Sequence, residues 1–298
     1  MVNSIFLQLL TGLQLGAIYV LISLGLALIF GTLGVVNFAH GAMFMVAAYL
    51  GVVISQAEWG GWGMAIVLVP IILFGLGLLM ERGLIRFFYT RPHTDQILVT
   101  FGLAIVLQEG FKWYFGANNL PFATPDWGSG IMRLHEYLPF LEGFVAYPKW
   151  RLILTAVSLI TVALLFALLQ FTTFGLVVRA GMRDSEMLRL LGVNISQRFA
   201  IVFALGVAIA GIAGVFGGPV TQVDPGIGMV FLVPSFLVVV IGGMGSLPGA
   251  VLASFIIGLA ISFTATIPAL ANIIVYLIAI LILLFRPRGL LGQKGVME

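Results

Sequence analysis

No cysteine occurs among the 298 residues, which rules out disulfides and thiolate metal sites. Charge is scarce as well: Asp, Glu, Lys and Arg make up 8% of the chain, where a soluble domain carries about 25%. The three histidines, His40, His93 and His135, lie far apart and show no metal-ligand spacing. Three lysines are present, Lys112, Lys149 and Lys294, and none stands in a Gly-x-x-x-x-Gly-Lys-[Ser/Thr] pattern. The chain therefore has no phosphate-binding loop of its own. It also lacks a His-Glu-x-x-His pattern and a Gly-x-Ser-x-Gly elbow. We expect no catalytic residues, no metal and no cofactor bound by this chain.

What the chain has is apolar length. Hydrophobic residues make up 61% of it, and no polar stretch could form a separate soluble domain. This predicts one membrane domain over 1–298. The first apolar run has no positive n-region before it, so it reads as a retained span rather than a signal peptide. A spanning helix needs roughly 20 apolar residues. Candidates lie near 6–30, 35–56, 63–86, 97–116, 151–171, 198–219, 229–246, 249–267 and 270–286. All must be helical, because lipid cannot satisfy free backbone groups. The expectation is an all-α polytopic bundle of eight or nine spans; a re-entrant or broken segment would lower the count by one.

The positive charges set its orientation. Arg82, Arg86 and Arg91 form one cluster; Arg179, Arg183, Arg189 and Arg198 a second; Arg286, Arg288 and Lys294 a third. Positive residues gather on the cytoplasmic side of short loops. The three clusters thus mark the inside, including the C-terminus, and the loop at about 117–150 marks the outside. The same placement makes the net charge of +3 a matter of topology rather than of nucleic-acid binding.

Small residues recur every fourth position at Gly206, Ala210, Gly214 and Gly218, and again at Gly12 and Gly16, a spacing that lets helix backbones approach. Two stretches interrupt the apolar pattern, Gly31 to Gly41 and Gly217 to Gly228. Paired interruptions of this kind point to discontinuous helices around a central path. Two ordinary turns at the membrane surface give the same pattern. On the first reading Asn37, Phe38, His40, Gly41, Pro219, Gln222, Asp224, Pro225 and Gly226 line the path. Asn37 and His40 would share a helix face, or Asn37 would cap a helix whose backbone satisfies His40. Asp224-Pro225 resembles an N-cap followed by proline in the first turn. The polar turn at Gly242 to Gly249 reads as a tight hairpin.

Ionisable residues within spans are few. Glu109 and Lys112 are spaced to pair on one helix face, and Glu81 beside Arg82 reads as a pair at the inner interface. An ion-coupled carrier would bury an acidic residue near mid-bilayer, and none stands there. The segment at about 172–197 is different, because it is charged and amphipathic. On a helix, Met187, Leu188, Leu190 and Leu191 form an apolar stripe, Arg183, Asp184, Glu186 and Arg189 stay wet, and Gly192 is a stop. Such a helix lies on lipid or docks in a groove on a cytosolic partner.

Val36-Asn37-Phe38-Ala39-His40-Gly41 after a first span resembles the signature of bacterial branched-chain amino acid ABC permeases. Arg179-Ala180, followed by a charged helix ending in Leu191-Gly192-Val193, resembles that family's cytoplasmic coupling segment. Phe285-Arg286-Pro287-Arg288-Gly289-Leu290-Leu291-Gly292 is similar to its usual ending. The likeness runs from end to end, with the length and loop order of the shorter of two paired permeases; Met182-Arg183-Asp184 departs from the common pattern.

The resemblance implies an inner-membrane permease subunit of an ATP-driven importer. A homologous permease, or a second copy, would complete the pore. Two cytosolic ATPases would carry the ATP and contact Arg183, Asp184, Glu186, Met187, Leu190, Leu191 and Gly192, and a periplasmic solute-binding protein would deliver substrate. The outer loop, with Pro121, Pro125, Trp127, Pro139, Tyr147 and Trp150, would receive that protein or serve as an interfacial aromatic belt. Relatives handling urea or short amides belong to the same family. The alternative class is an ion-coupled carrier or channel for a small polar solute such as urea or an amide, which would transport by itself.

Overall fold

The computed structural model describes residues 2–138, 141 and 143–292. Pro139 of the outer loop and Lys294 of the third basic cluster lie outside the described residues. Helix α1 runs over Val2–Leu33, α2 over Ala39–Gln56, α3 over Trp62–Gly83, α4 over His93–Phe115 and α5 over Lys149–Phe171. Two short helices follow, α6 over Thr173–Arg183 and α7 over Ser185–Leu190. Then come α8 over Ile195–Gly217, α9 over Ile227–Gly242, α10 over Leu247–Thr264 and α11 over Pro268–Phe285.

Among the described residues, seven helices are long and apolar enough to cross a membrane: α1 to α5, α8 and α10. Shorter apolar helices include α9 and the Ile273–Phe285 part of α11. Each apolar run read from the sequence is a helix here, so the protein is a helical membrane bundle.

Helices α1, α2 and α8 form its centre and are mostly buried, whereas α3, α4 and α5 lie at the periphery. Between apolar helices in lipid, close packing replaces the hydrophobic drive, and small residues supply it. A Cβ on Gly16 would stand 3.0 Å from the Phe255 backbone, and one on Gly258 would stand 2.3 Å from the Gly16 nitrogen, so α1 and α10 touch backbone to backbone. The ladder on α8 serves two neighbours rather than one. Gly206 lies against Gly25 and Ile29 of α1, and Gly214 against Phe44, Ala47 and Ala48 of α2.

The two ends of the bundle differ. At one end α1 finishes beside the turn between α9 and α10, where Gly31 meets Gly245, and Phe30 lies near the His93 ring. At the other end the 116–148 loop folds over the bundle. It carries an antiparallel pair of strands, β1 over Ile131–Arg133 and β2 over Ala146–Pro148. Trp150 anchors that end: its indole N–H donates to the Phe216 carbonyl at 2.9 Å, and its ring stacks on Phe216. The Gly242–Gly249 turn is a tight connection, with Ser246 Oγ accepting from the Gly249 N–H to cap α10.

Candidate functional site

The first interruption begins where α1 stops. Gly34 takes a φ of +64° and its N–H donates to the Phe30 carbonyl at 2.9 Å, the left-handed ending that glycine permits. Residues 34–37 then run without helical structure until α2 begins at Ala39, four residues later than the apolar run suggested. The second interruption is a 3₁₀ turn over Gly218–Val220 and an irregular stretch that ends at α9.

The two breaks meet. A Cβ on Gly41, in the first turn of α2, would stand 2.3 Å from the Gly228 carbonyl oxygen in the first turn of α9; a Cβ on Gly228 would stand 2.7 Å from the Gly41 oxygen. The Phe38 ring packs on Phe236 of α9 at 5.4 Å and on Phe101 of α4 at 6.4 Å. A crevice beside this seam is lined by Ala42 and Met45 of α2, Ala104 and Gln108 of α4, and Pro225, Gly228 and Met229. It is too tight to admit water in this conformation.

The residues expected to line a path fall into three groups. Phe38, Gly41, Pro225 and Gly226 lie at or beside the seam. His40 faces the protein interior: a Cβ on Gly25 of α1 would stand 2.7 Å from its Cε1. It is fully buried, and apart from an interaction with the Ile22 carbonyl its ring nitrogens have no hydrogen-bond partner. Asn37 is buried beside it in sequence, with Oδ1 accepting from the Ala39 N–H at 3.0 Å and Nδ2 unpartnered. That is a turn closed by its own side chain, with Phe38 rather than Asn37 at the N-cap position of α2. Pro219 and Gln222 lie at the looped end, where Gln222 Oε1 accepts from Asn119 Nδ2 at 2.9 Å.

Asp224 departs from its expected role. Its Oδ1 accepts from the Gly226 N–H at 2.7 Å, whereas α9 starts at Ile227 with Gly226 as its N-cap and no side-chain cap. Pro225 therefore precedes the helix instead of occupying its first turn.

The amphipathic segment is two helices, not one. Asp184 is extended (φ −153°) and its carboxylate accepts from the Met187 N–H at 2.9 Å, ending α6 and capping α7. Leu191 donates its N–H to the Met187 carbonyl and Val193 to Leu188, while Gly192 takes a φ of +79°. The apolar stripe divides. Leu188 turns back towards Gly181, while Met187, Leu190 and Leu191 are exposed, Leu190 at 83%. Asp184, Glu186 and Arg189 are exposed too; the backbone of Arg183 closes α6, and its side chain lies outside the described set.

Glu109 and Lys112 form the exposed pair the spacing suggested, at 3.4 Å. Glu81 does not follow its expected pairing. It is buried, and its carboxylate accepts from the Tyr89 phenol at 2.6 Å. Burial first, and then the Glu81 bond and charge, push the Tyr89 phenol above its ordinary range. In the outer loop Tyr147, Trp150 and Pro125 are buried, leaving Pro121 and Trp127 exposed. Among the described residues no group of three or more His, Asp or Glu could hold a metal ion.

Fold and site together define the class: a polytopic helical membrane protein in which two interrupted helical connections meet at a narrow seam. The chain belongs to the family of branched-chain amino acid transport system permease components, whose profile matches residues 8–284. It is 28% identical to the high-affinity branched-chain amino acid transport system permease protein BraD of Pseudomonas aeruginosa, over 97% of this chain and 96% of that one. It is 26% identical to the corresponding permease protein LivH of Escherichia coli K12, with the same coverage. A probable branched-chain amino acid permease of Methanocaldococcus jannaschii is 25% identical over 92% of this chain and 88% of its own length. These relatives are transport permeases, not enzymes. No solved structure gives a significant match.

Proposed function

We propose that this chain is the membrane-spanning subunit of an ATP-driven importer of branched-chain or related amino acids in a bacterial inner membrane. It crosses eight or nine times, with the basic end and the C-terminus in the cytoplasm. A homologous permease or a second copy completes the pore. Two cytosolic ATPases bind α6 and α7, and a periplasmic solute-binding protein docks on the 116–148 loop. Substrate moves along the seam between α2 and α9, where Phe38, Gly41, Pro225 and Gly226 border the way. Asn37, His40 and Asp224 shape the breaks, and Pro219 and Gln222 lie at the outer mouth.

The observation that carries this reading is α7. Met187 and Leu190 of this capped helix, and Leu191 just after it, are exposed apolar side chains between two apolar helices, α5 and α8. Such a surface suits a groove on a soluble partner. Replacing Leu190 and Leu191 with Asp tests it: membrane insertion should persist while ATPase co-purification and ATP-driven uptake fall to background. Normal uptake by that variant would remove the coupling role.

A further inference from the structure

The first break leaves backbone donors that neither α1 nor α2 can satisfy, and within a membrane protein such groups need partners in the protein. Two of them are met by side chains from α4. The Val36 N–H donates to Gln96 Oε1 at 3.2 Å, and the Phe38 N–H donates to Thr100 Oγ1 at 3.0 Å. Gln96 and Thr100 are one helical turn apart, 2% and 1% exposed, on a helix most of whose other residues are partly or fully exposed.

Their remaining hydrogen-bonding capacity is directed to suit. The Thr100 hydroxyl gives its proton to the Gln96 carbonyl at 2.7 Å, which leaves its lone pairs for Phe38. The Gln96 amide group donates to the Phe88 carbonyl at 2.9 Å and the Arg91 carbonyl at 3.3 Å. One side chain thus ties the connection before α4 to the break before α2.

We propose that Gln96 and Thr100 are positioning residues for transport. They clip the break to α4, so that displacement of this peripheral helix carries Val36 to Phe38 with it and shifts the α2 terminus at the Gly41–Gly228 seam. This rests on the seam being the transport path.

The test uses the assembled complex with its ATPases in lipid vesicles, comparing Thr100→Val, Thr100→Ser and Gln96→Leu. Amide hydrogen exchange of the 34–38 segment and uptake per assembled complex are both measured. Thr100→Val and Gln96→Leu should each speed exchange there about tenfold, the scale of one buried hydrogen bond. Maximal uptake should fall severalfold with the half-saturating substrate concentration unchanged, and Thr100→Ser should restore both. Unchanged exchange, or faster exchange with normal maximal uptake, overturns the clip. Gly41→Val serves as the separate control. If it abolishes uptake while the clip variants do nothing, the clip alone has failed; if it too transports normally, the seam reading has failed and takes the clip with it.

Discussion

Beyond the turn that Asn37 closes, the break at 34–38 borrows hydrogen bonds from a neighbouring helix, whereas the break at 218–226 is held by its own side chains and by the outer loop. Gln96 and Thr100 of α4 serve the first. In the second, Thr221 Oγ1 donates to the Gly217 carbonyl, Asp224 accepts from Gly226, and Val223 pairs with Leu120 across an isolated bridge. A break held by its own side chains and a loop can stay fixed while neighbouring helices move. One held by a peripheral helix must follow that helix or lose its bonds. On the proposed function, the first break would follow α4 during transport, while the second would hold its place between the seam and the outer loop.

The seam shared by both breaks should be the most sensitive place. Gly41→Val puts a branched side chain where even a Cβ stands 2.3 Å from a backbone oxygen, so α2 and α9 must separate. Uptake per inserted complex should fall at least tenfold, in keeping with an overpacking cost of roughly 1–3 kcal/mol.

Next comes Tyr89→Phe, which leaves the buried Glu81 carboxylate without its phenol donor. Thermal unfolding in detergent should report a loss of about 1–3 kcal/mol. The raised phenol favours its neutral form, so this contribution is whole below the ordinary value of 10.0 and is lost only as pH rises through the raised one. The wild-type advantage over Tyr89→Phe should therefore hold constant from neutral pH up to the onset of phenol ionisation.

A smaller effect is expected at the self-held break. Asp224→Ala removes the acceptor for the Gly226 N–H, costing about 1 kcal/mol by analogy with helix caps, and Asp224→Asn should recover most of it. If Asp224→Ala impaired uptake more than Gln96→Leu, the contrast between the two breaks would be reversed. At the bottom of the scale, Glu109→Ala should change stability by less than about 0.5 kcal/mol, because the pair with Lys112 is exposed to solvent.

How much of this was legible in the sequence follows from how local each signal is. Apolar runs set by the bilayer thickness gave every long helix to within a few residues, and Gly34 and Gly226 mark real interruptions. The departures involve partners far along the chain. The direction of His40 depends on Gly25 in another helix, and the Glu81 carboxylate meets Tyr89 instead of its neighbour Arg82. The charge pattern makes Asp184 a wet position in one helix, but its short side chain competes for the Met187 N–H and divides the segment. Nothing local distinguishes Gln96 and Thr100 as acceptors, because Val36 and Phe38 lie about 60 residues away and their N–H groups are free only once α1 has ended. A search for polar residues within apolar helices near a predicted break would have found them.

On the proposed function, the chain moves solute only when separate ATPases drive it. Reconstitution of the purified permease in vesicles, with its receptor and with or without the ATPase subunits, tests this directly. Accumulation against a gradient is expected when the ATPases and ATP are both present, and none when either is left out. Uphill accumulation by the permease without nucleotide hydrolysis would contradict it.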